Sequence, residues 1–143
     1  MIICAFPACG KTWLFENLQS VSDSDSSKFS WISDGVRHPD FPNNYIQHIK
    51  SIQSDFDYIT VSSHSVVTKA LLDNKLDFVI VYPAIENKQE WIQRCTNRGN
   101  TDAFIKIIND NYENWIIEIE KLPVKKIKLE KGQYLSNVLD KLI

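Results

Sequence analysis

Residues 5–12 read Ala5-Phe6-Pro7-Ala8-Cys9-Gly10-Lys11-Thr12, a glycine, a lysine and a hydroxyl in immediate succession after the short apolar run Ile2 to Ala5. This is the spacing G-x-x-x-x-G-K-[ST] of the Walker A loop, with Ala5 where the first glycine usually stands. Polyphosphate chemistry needs each part of it. Backbone N–H groups wrap the phosphate oxygens, and the helix that follows turns its positive end toward them. Gly10 lets the backbone approach closely, and Lys11 supplies a point charge for the β- and γ-phosphates. The Thr12 hydroxyl is a ligand for Mg²⁺. The predicted nucleotide-binding residues are therefore Pro7, Ala8, Cys9, Gly10, Lys11 and Thr12, with ATP and Mg²⁺ as the expected ligands. Ala5 is compatible with a tight turn if its φ stays negative.

Such a loop works only where a strand delivers it and a helix receives it. Residues 2–5 read as a buried strand and residues 11–19 as a helix carrying Trp13, Leu14 and Leu18 at helical spacing. Ser20-Val21-Ser22 reads as a second short strand, followed by the Ser- and Asp-rich stretch to Ser27. Residues 28–44 break any period, and Pro42 suits the first turn of a helix whose apolar stripe is Tyr45, Ile46, Ile49 and Ile52. Residues 57–62 read as a strand, followed by a helix capped by Ser63 or Ser65 with Val66, Val67, Ala70 and Leu71 toward the core. Residues 77–82 form the plainest buried strand. Residues 86–98 read as a charged helix stopped at Gly99, and Asn100 or Thr101 opens another with the stripe Ile105, Ile108, Tyr112, Trp115 and Ile119, read as core packing. A late strand over 125–129 and a terminal helix over 133–143 complete the pattern. Strands alternate with helices, which predicts an α/β domain with a mostly parallel sheet.

The chain's 143 residues suit one domain, and 43% hydrophobic with 24% charged residues is an ordinary globular balance. A net charge of −2 supplies no overall basic field for nucleic acid or anionic lipid. Three cysteines, Cys4, Cys9 and Cys95, match neither a disulfide framework nor a zinc pattern. No apolar stretch is long enough to span a bilayer, and the N-terminal run lacks the features of a signal peptide. The expected setting is cytoplasmic, with no membrane partner.

Further candidates gather around the same sheet. Ser62-Ser63-His64 ends the third strand, and in open α/β sheets ligands bind beyond the carboxyl ends of the strands. Ser63 and His64 are thus candidates for contact with the acceptor or a phosphate, although Ser63 also reads as a plain N-cap. Glu90, Arg94 and Arg98 recur every four residues on one helical face. Two guanidinium groups there suit a phosphoryl clamp; the other reading is a Glu90–Arg94 surface pair. In the excursion, Trp31, Asp34, Arg37, His38 and Tyr45 offer an aromatic and a cation to an acceptor nucleotide. Asp57 stands at the wrong end of its strand to serve as a Walker B carboxylate.

On the Walker A stretch, the chain resembles P-loop kinases of the nucleoside and nucleotide monophosphate kinase type, especially small phage-type members. The resemblance implies a three-layer α/β/α fold with five strands ordered 2-3-1-4-5. It also implies an acceptor-side insertion, here about residues 26–44, and an Arg-bearing lid, here about residues 86–102, bringing Arg94 and Arg98 over the phosphates. In similar kinases an acidic residue ending the second strand faces the loop, as general base or as organiser of the metal's water shell. Asp23 or Asp25 fits that place, since alternate strand residues share a face; a solvated turn is the other reading. Asp25 is the candidate metal partner beside Thr12.

The expected activity is ATP-dependent phosphoryl transfer to a small acceptor, a (deoxy)nucleoside monophosphate, with Lys11, Asp23, Asp25, Arg94 and Arg98 catalytic and Arg37, Ser63 and His64 toward the acceptor. A polynucleotide or other hydroxyl kinase is the enzymatic alternative, disfavoured by the lack of a basic run. A nucleotide-binding regulator with no turnover is the alternative from another class.

Overall fold

The computed structural model describes residues 1–23, 31–33 and 36–142; for Asp23, Trp31, Ile32, Ser33 and Arg37 only the backbone is described. Strand β1 (Ile2–Ala5) is buried along its whole length, as an apolar run between two helical layers must be. It leads through the loop 6–10 into α1 (Lys11–Asn17). Next come β2 (Val21–Asp23), the short strands β3 (Trp31–Ser33) and β4 (Val36–Arg37), and α2 (Asn43–Ile52). Strand β5 (Tyr58–Ser62) precedes α3 (Ser65–Asp73), and β6 (Phe78–Pro83) precedes a 3₁₀ turn (Ile85–Asn87) and α4 (Lys88–Asn97). Helix α5 (Asp102–Glu120), β7 (Lys125–Leu129) and a 3₁₀ segment (Leu135–Lys141) follow.

The main sheet is parallel throughout, in the spatial order β2-β5-β1-β6-β7. Numbered within that sheet, its strands run 2-3-1-4-5, and the architecture is a three-layer α/β/α sandwich. β3 and β4 form a separate antiparallel pair in the excursion. The core is built from the central strands and the inward stripes of the helices: Tyr45, Ile46 and Ile49 of α2, Val67 and Leu71 of α3, Trp91 and Cys95 of α4, and Ile108, Tyr112 and Ile116 of α5. Helices α2 and α3 pack together, as do α4 and α5, while α1 packs against the terminal 3₁₀ segment.

Local chemistry sets the element boundaries. Helix α4 ends in a Schellman motif: the Gly99 amide donates to the Thr96 carbonyl and the Asn100 amide to the Cys95 carbonyl, with Gly99 at φ 84°. Thr101 then caps α5, its hydroxyl accepting from the Phe104 amide at 3.2 Å. The two signals lie two residues apart, so one helix stops at Asn97 and the next starts at Asp102 across a short turn.

The structure corrects several local expectations. The N-cap position of α3 is His64, not Ser63 or Ser65, and no side chain caps it. Val66 points outward, half-exposed, while Val67, Ala70 and Leu71 on the other side of the helix face the core. The tail is a 3₁₀ segment kinked at Val138, not an α-helix. Tyr45 is fully buried in the core and offers no ring to a ligand. Trp115 is only partly buried, while Ile116 takes the core position beside it.

Candidate functional site

The loop after β1 owes its shape to its ends and to the tail packed behind it. Ala5 stays in the strand, so the absent first glycine leaves no mark on the backbone. The left-handed positions are Ala8 at φ 64° and Gly10 at φ 100°. At Gly10 an added Cβ would meet Tyr134 no closer than 3.5 Å, so the backbone angle, not crowding, is what calls for glycine. Three of the loop's carbonyls are satisfied by protein donors from the loop, α4 and the tail. The Phe6 carbonyl accepts from the Cys9 amide, and the Cys9 carbonyl accepts from the Leu135 amide at 2.8 Å. The Ala8 carbonyl accepts from Arg94 Nη1 at 3.2 Å. The amides are left over: among the described residues, those of Ala8, Gly10, Lys11 and Thr12 find no protein acceptor. Unpaired donors at the start of a helix are a site for an anion.

Arg94 is the main strut of this arrangement. Its side chain is only 9% exposed. Besides Ala8 it reaches the Gln133 carbonyl at 2.7 Å, and it stands 3.3 Å from Glu90 Oε2. Its guanidinium lies 3.8 Å from the ring centres of both Trp91 and Tyr134. Planar stacking with directed hydrogen bonds in the ring plane is a geometry available to arginine and not to lysine. Glu90 ties in the loop before the tail, its Oε1 accepting from the Gly132 amide at 2.7 Å. Arg98, one turn on, is exposed; its Nε donates to Asn100 Oδ1 at 2.6 Å. The sequence placed both arginines on one face, and the structure gives them different surroundings.

These parts open onto a cleft of about 1280 Å³ at the carboxyl ends of β1 and β5. Pockets for one drug-sized ligand hold roughly 300–1,000 Å³, so there is room for more than one group. The cleft brings together Pro7, Ala8, Gly10, Lys11 and Thr12 with Ser63, His64, Arg94 and Arg98. Cys9 stays behind the loop, fully buried. Burial pushes its thiol up to about 12, against the opposing charges of Lys11 and Arg94, so it is a protonated space-filler and not a nucleophile.

Asp23 ends β2 on the same sheet edge, paired in register with Thr60, two residues short of the end of β5. Asp25 and Asp34 lie outside the described residues, as does the segment 24–30. Arg37 is described by its backbone in β4. His38 lies outside the cleft lining, its Nδ1 accepting from the Asp40 amide at 3.1 Å. Asp57 sits before β5, its carbonyl accepting from the N-terminal amine at 2.8 Å, at the end of the sheet away from the cleft. Ser62 and Ser63 therefore occupy the end of β5 where a Walker B carboxylate would stand. No group of three or more His, Cys, Asp or Glu side chains arranged to hold a metal occurs among the described residues.

Several lining residues escaped the sequence reading. Tyr134, 43% exposed, comes from the tail and covers the loop at Gly10. Trp115 makes edge-to-face contacts with Phe6 at 6.1 Å and His64 at 6.2 Å and lines the cleft with Glu118. The i, i+3 spacing of Trp115 and Glu118 was the available signal, and the apolar stripe of α5 masked it.

No known protein-family model matches the chain, and no curated protein matches it. No helix among the described residues is long and apolar enough to cross a membrane.

Proposed function

We propose that the chain is an ATP-dependent phosphotransferase acting on a small acceptor, a (deoxy)nucleoside monophosphate. The observation that carries this reading is the set of unpaired amides at Ala8, Gly10, Lys11 and Thr12, residues that line one cleft together with Arg98. Four donors and two cations are a receptor for a polyphosphate, with far more positive potential than any neutral ligand needs.

In this reading the triphosphate of ATP rests on residues 7–12. Lys11 holds the β- and γ-phosphates, and Arg98, whose guanidinium is exposed in the cleft, meets the charge that spreads over the γ-oxygens in the transition state. Arg94 acts one step back, keeping the Ala8 carbonyl turned away so that the amides stay aimed at the phosphates. An oxygen of the acceptor's phosphate attacks the γ-phosphorus; the new P–O bond forms as the bond to the β,γ-bridging oxygen breaks, and ADP leaves with that electron pair. A phosphate acceptor is already ionised, so Asp23 or Asp25 serves to orient it or to organise bound water. Ser63 and His64 line the approach on the acceptor's side.

The donor set fits Mg²⁺ carried in with ATP. Thr12 offers a hydroxyl at the start of α1, and Mg²⁺ takes most of its remaining ligands from water and phosphate. When bound, the ion neutralises charge on the β- and γ-oxygens. Serines in place of a carboxylate at the end of β5 favour the second reading, a nucleotide-binding regulator without turnover.

Labelled ATP with Mg²⁺ and a panel of nucleoside monophosphates decides between these readings. Label passing to a monophosphate, and lost on the order of a hundredfold or more in Lys11→Ala, is the expected result. Undiminished transfer in Lys11→Ala would remove the loop from the chemistry. Tight ATP binding with no transfer to any acceptor would leave the regulator.

A further inference from the structure

The cleft is electrically lopsided. Its cations, Lys11, Arg94 and Arg98, come from the loop and from α4, and its single carboxylate among the described lining residues is Glu118. Helix α5 forms a long wall between these regions. Phe104 and Glu118 both line the cleft from near opposite ends of this 19-residue helix, about 20 Å apart at a rise of about 1.5 Å per residue. Arg98 and Asn100 immediately precede its first turn, and Phe6, at the start of the loop, touches Trp115 near its last. Arg98 therefore lies toward the start of α5 and Trp115 with Glu118 toward its end, where Phe6 brings the loop against Trp115.

Beside Trp115 the cleft also carries the His64 ring, edge-to-face at 6.2 Å. Val66, 50% exposed, with Phe41 and Leu122 adds apolar surface to the cleft lining. Glu118 has no ion-pair partner among the described residues. A carboxylate there repels phosphate and accepts hydrogen bonds without donating any. Its natural ligand is the uncharged end of a molecule whose phosphate lies at the loop: a flat ring, packed on an aromatic side chain, with N–H groups on its outer edge.

We infer that Trp115 and Glu118 form the acceptor's base pocket and that Glu118 makes it select guanine over thymine. The inference rests on the phosphotransferase reading for the location of the phosphate. Guanine presents two adjacent donors, N1–H and the 2-amino group, which match the two oxygens of a carboxylate. Adenine and cytosine each offer one amino donor beside a ring-nitrogen acceptor, which opposes the second oxygen. Thymine offers one N–H between two carbonyls, the poorest match. The assignment makes Glu118 a specificity-determining residue and leaves phosphoryl transfer to the loop.

Tryptophan fluorescence titrations with dGMP and dTMP, in the absence of ATP, test this on wild type, Trp115→Phe and Glu118→Gln. dGMP is expected to quench wild type but not Trp115→Phe. Its dissociation constant should rise about tenfold or more in Glu118→Gln, with dTMP affinity unchanged or improved. Glu118 is exposed, so the variant should fold, and circular dichroism checks that it has. Tighter wild-type binding of dTMP than dGMP, or equal dGMP affinity in wild type and Glu118→Gln, would overturn the inference. A parallel ATP titration separates the two readings. Lys11-dependent ATP binding with no response to any monophosphate sinks the base pocket alone. dGMP binding without ATP binding sinks the phosphotransferase.

Discussion

At one end of the cleft Arg94 is held by two backbone carbonyls, a carboxylate and two aromatic rings, and the loop it braces is bonded from behind by the tail. At the other end Trp115 and Glu118 stand on one face of a single helix, with Glu118 exposed. The first end is braced by protein contacts on several sides; the second is the more exposed. On the proposed function, the contrast follows from what each end would do. Aligned amides stabilise developing charge only if they need not reorganise during the reaction. A surface that chooses between flat rings needs area and a few polar atoms, and it gains its burial from the ligand.

The comparison is open to attack by mutation, first at Arg94. Removing it leaves the partly buried Glu90 carboxylate with only the Gly132 amide and takes the donor from the carbonyls of Ala8 and Gln133. Arg94→Ala is expected to cost about 3 kcal/mol of stability, read as a lowered urea midpoint at unchanged slope. Arg94→Lys should recover little, since an ammonium cannot stack between two rings while meeting both carbonyls. An Arg94→Ala protein as stable as wild type would make the loop end no more pre-built than the open end.

Arg98→Ala sharpens the difference between the two arginines. With an exposed guanidinium and one hydrogen bond to Asn100, its loss should leave the urea midpoint within about 0.5 kcal/mol of wild type while lowering kcat for transfer about tenfold or more. A large stability loss with unchanged kcat would reverse the roles assigned to the pair.

The smallest effect concerns the thiol behind the loop. In the fold Cys9 titrates at about 12, against an ordinary value of 9.0 when unfolded, because burial disfavours its thiolate. The stability tied to this shift is fully present below about pH 9. It is lost as pH rises from there toward 12, because the unfolded chain releases the proton first. Between pH 8 and pH 10 this amounts to about 1 kcal/mol. Denaturation midpoints at the two pH values, compared between wild type and Cys9→Ala, check it: the decline should be shallower in the variant.

Much of this was legible in the residues themselves. Gly10-Lys11-Thr12 after Ile2–Ala5 fixed the site's place, because a strand, a tight loop and a helix start are encoded within a dozen consecutive residues. Gly99 and Thr101 announced the break between α4 and α5 for the same reason. Periodicity failed where one side chain serves two surfaces: Trp115 keeps helical spacing with the core stripe yet turns its ring to the cleft. It was also silent on Tyr134, which meets the loop only because the sheet folds β7 back beside β6.

What the sequence determined alone is local: alternating strands and helices, the loop and its lysine, and the apolar faces that must be buried. Short-range sterics and hydrogen bonding suffice for these. The separate fates of Arg94 and Arg98 were decided by the tertiary structure, as was the juxtaposition of Trp115 and Glu118 with a loop some hundred residues earlier. Two arginines four apart are equivalent on an isolated helix. Only the arrival of the Gln133 carbonyl and the Tyr134 ring, from the far end of the chain, buries one and leaves the other in water.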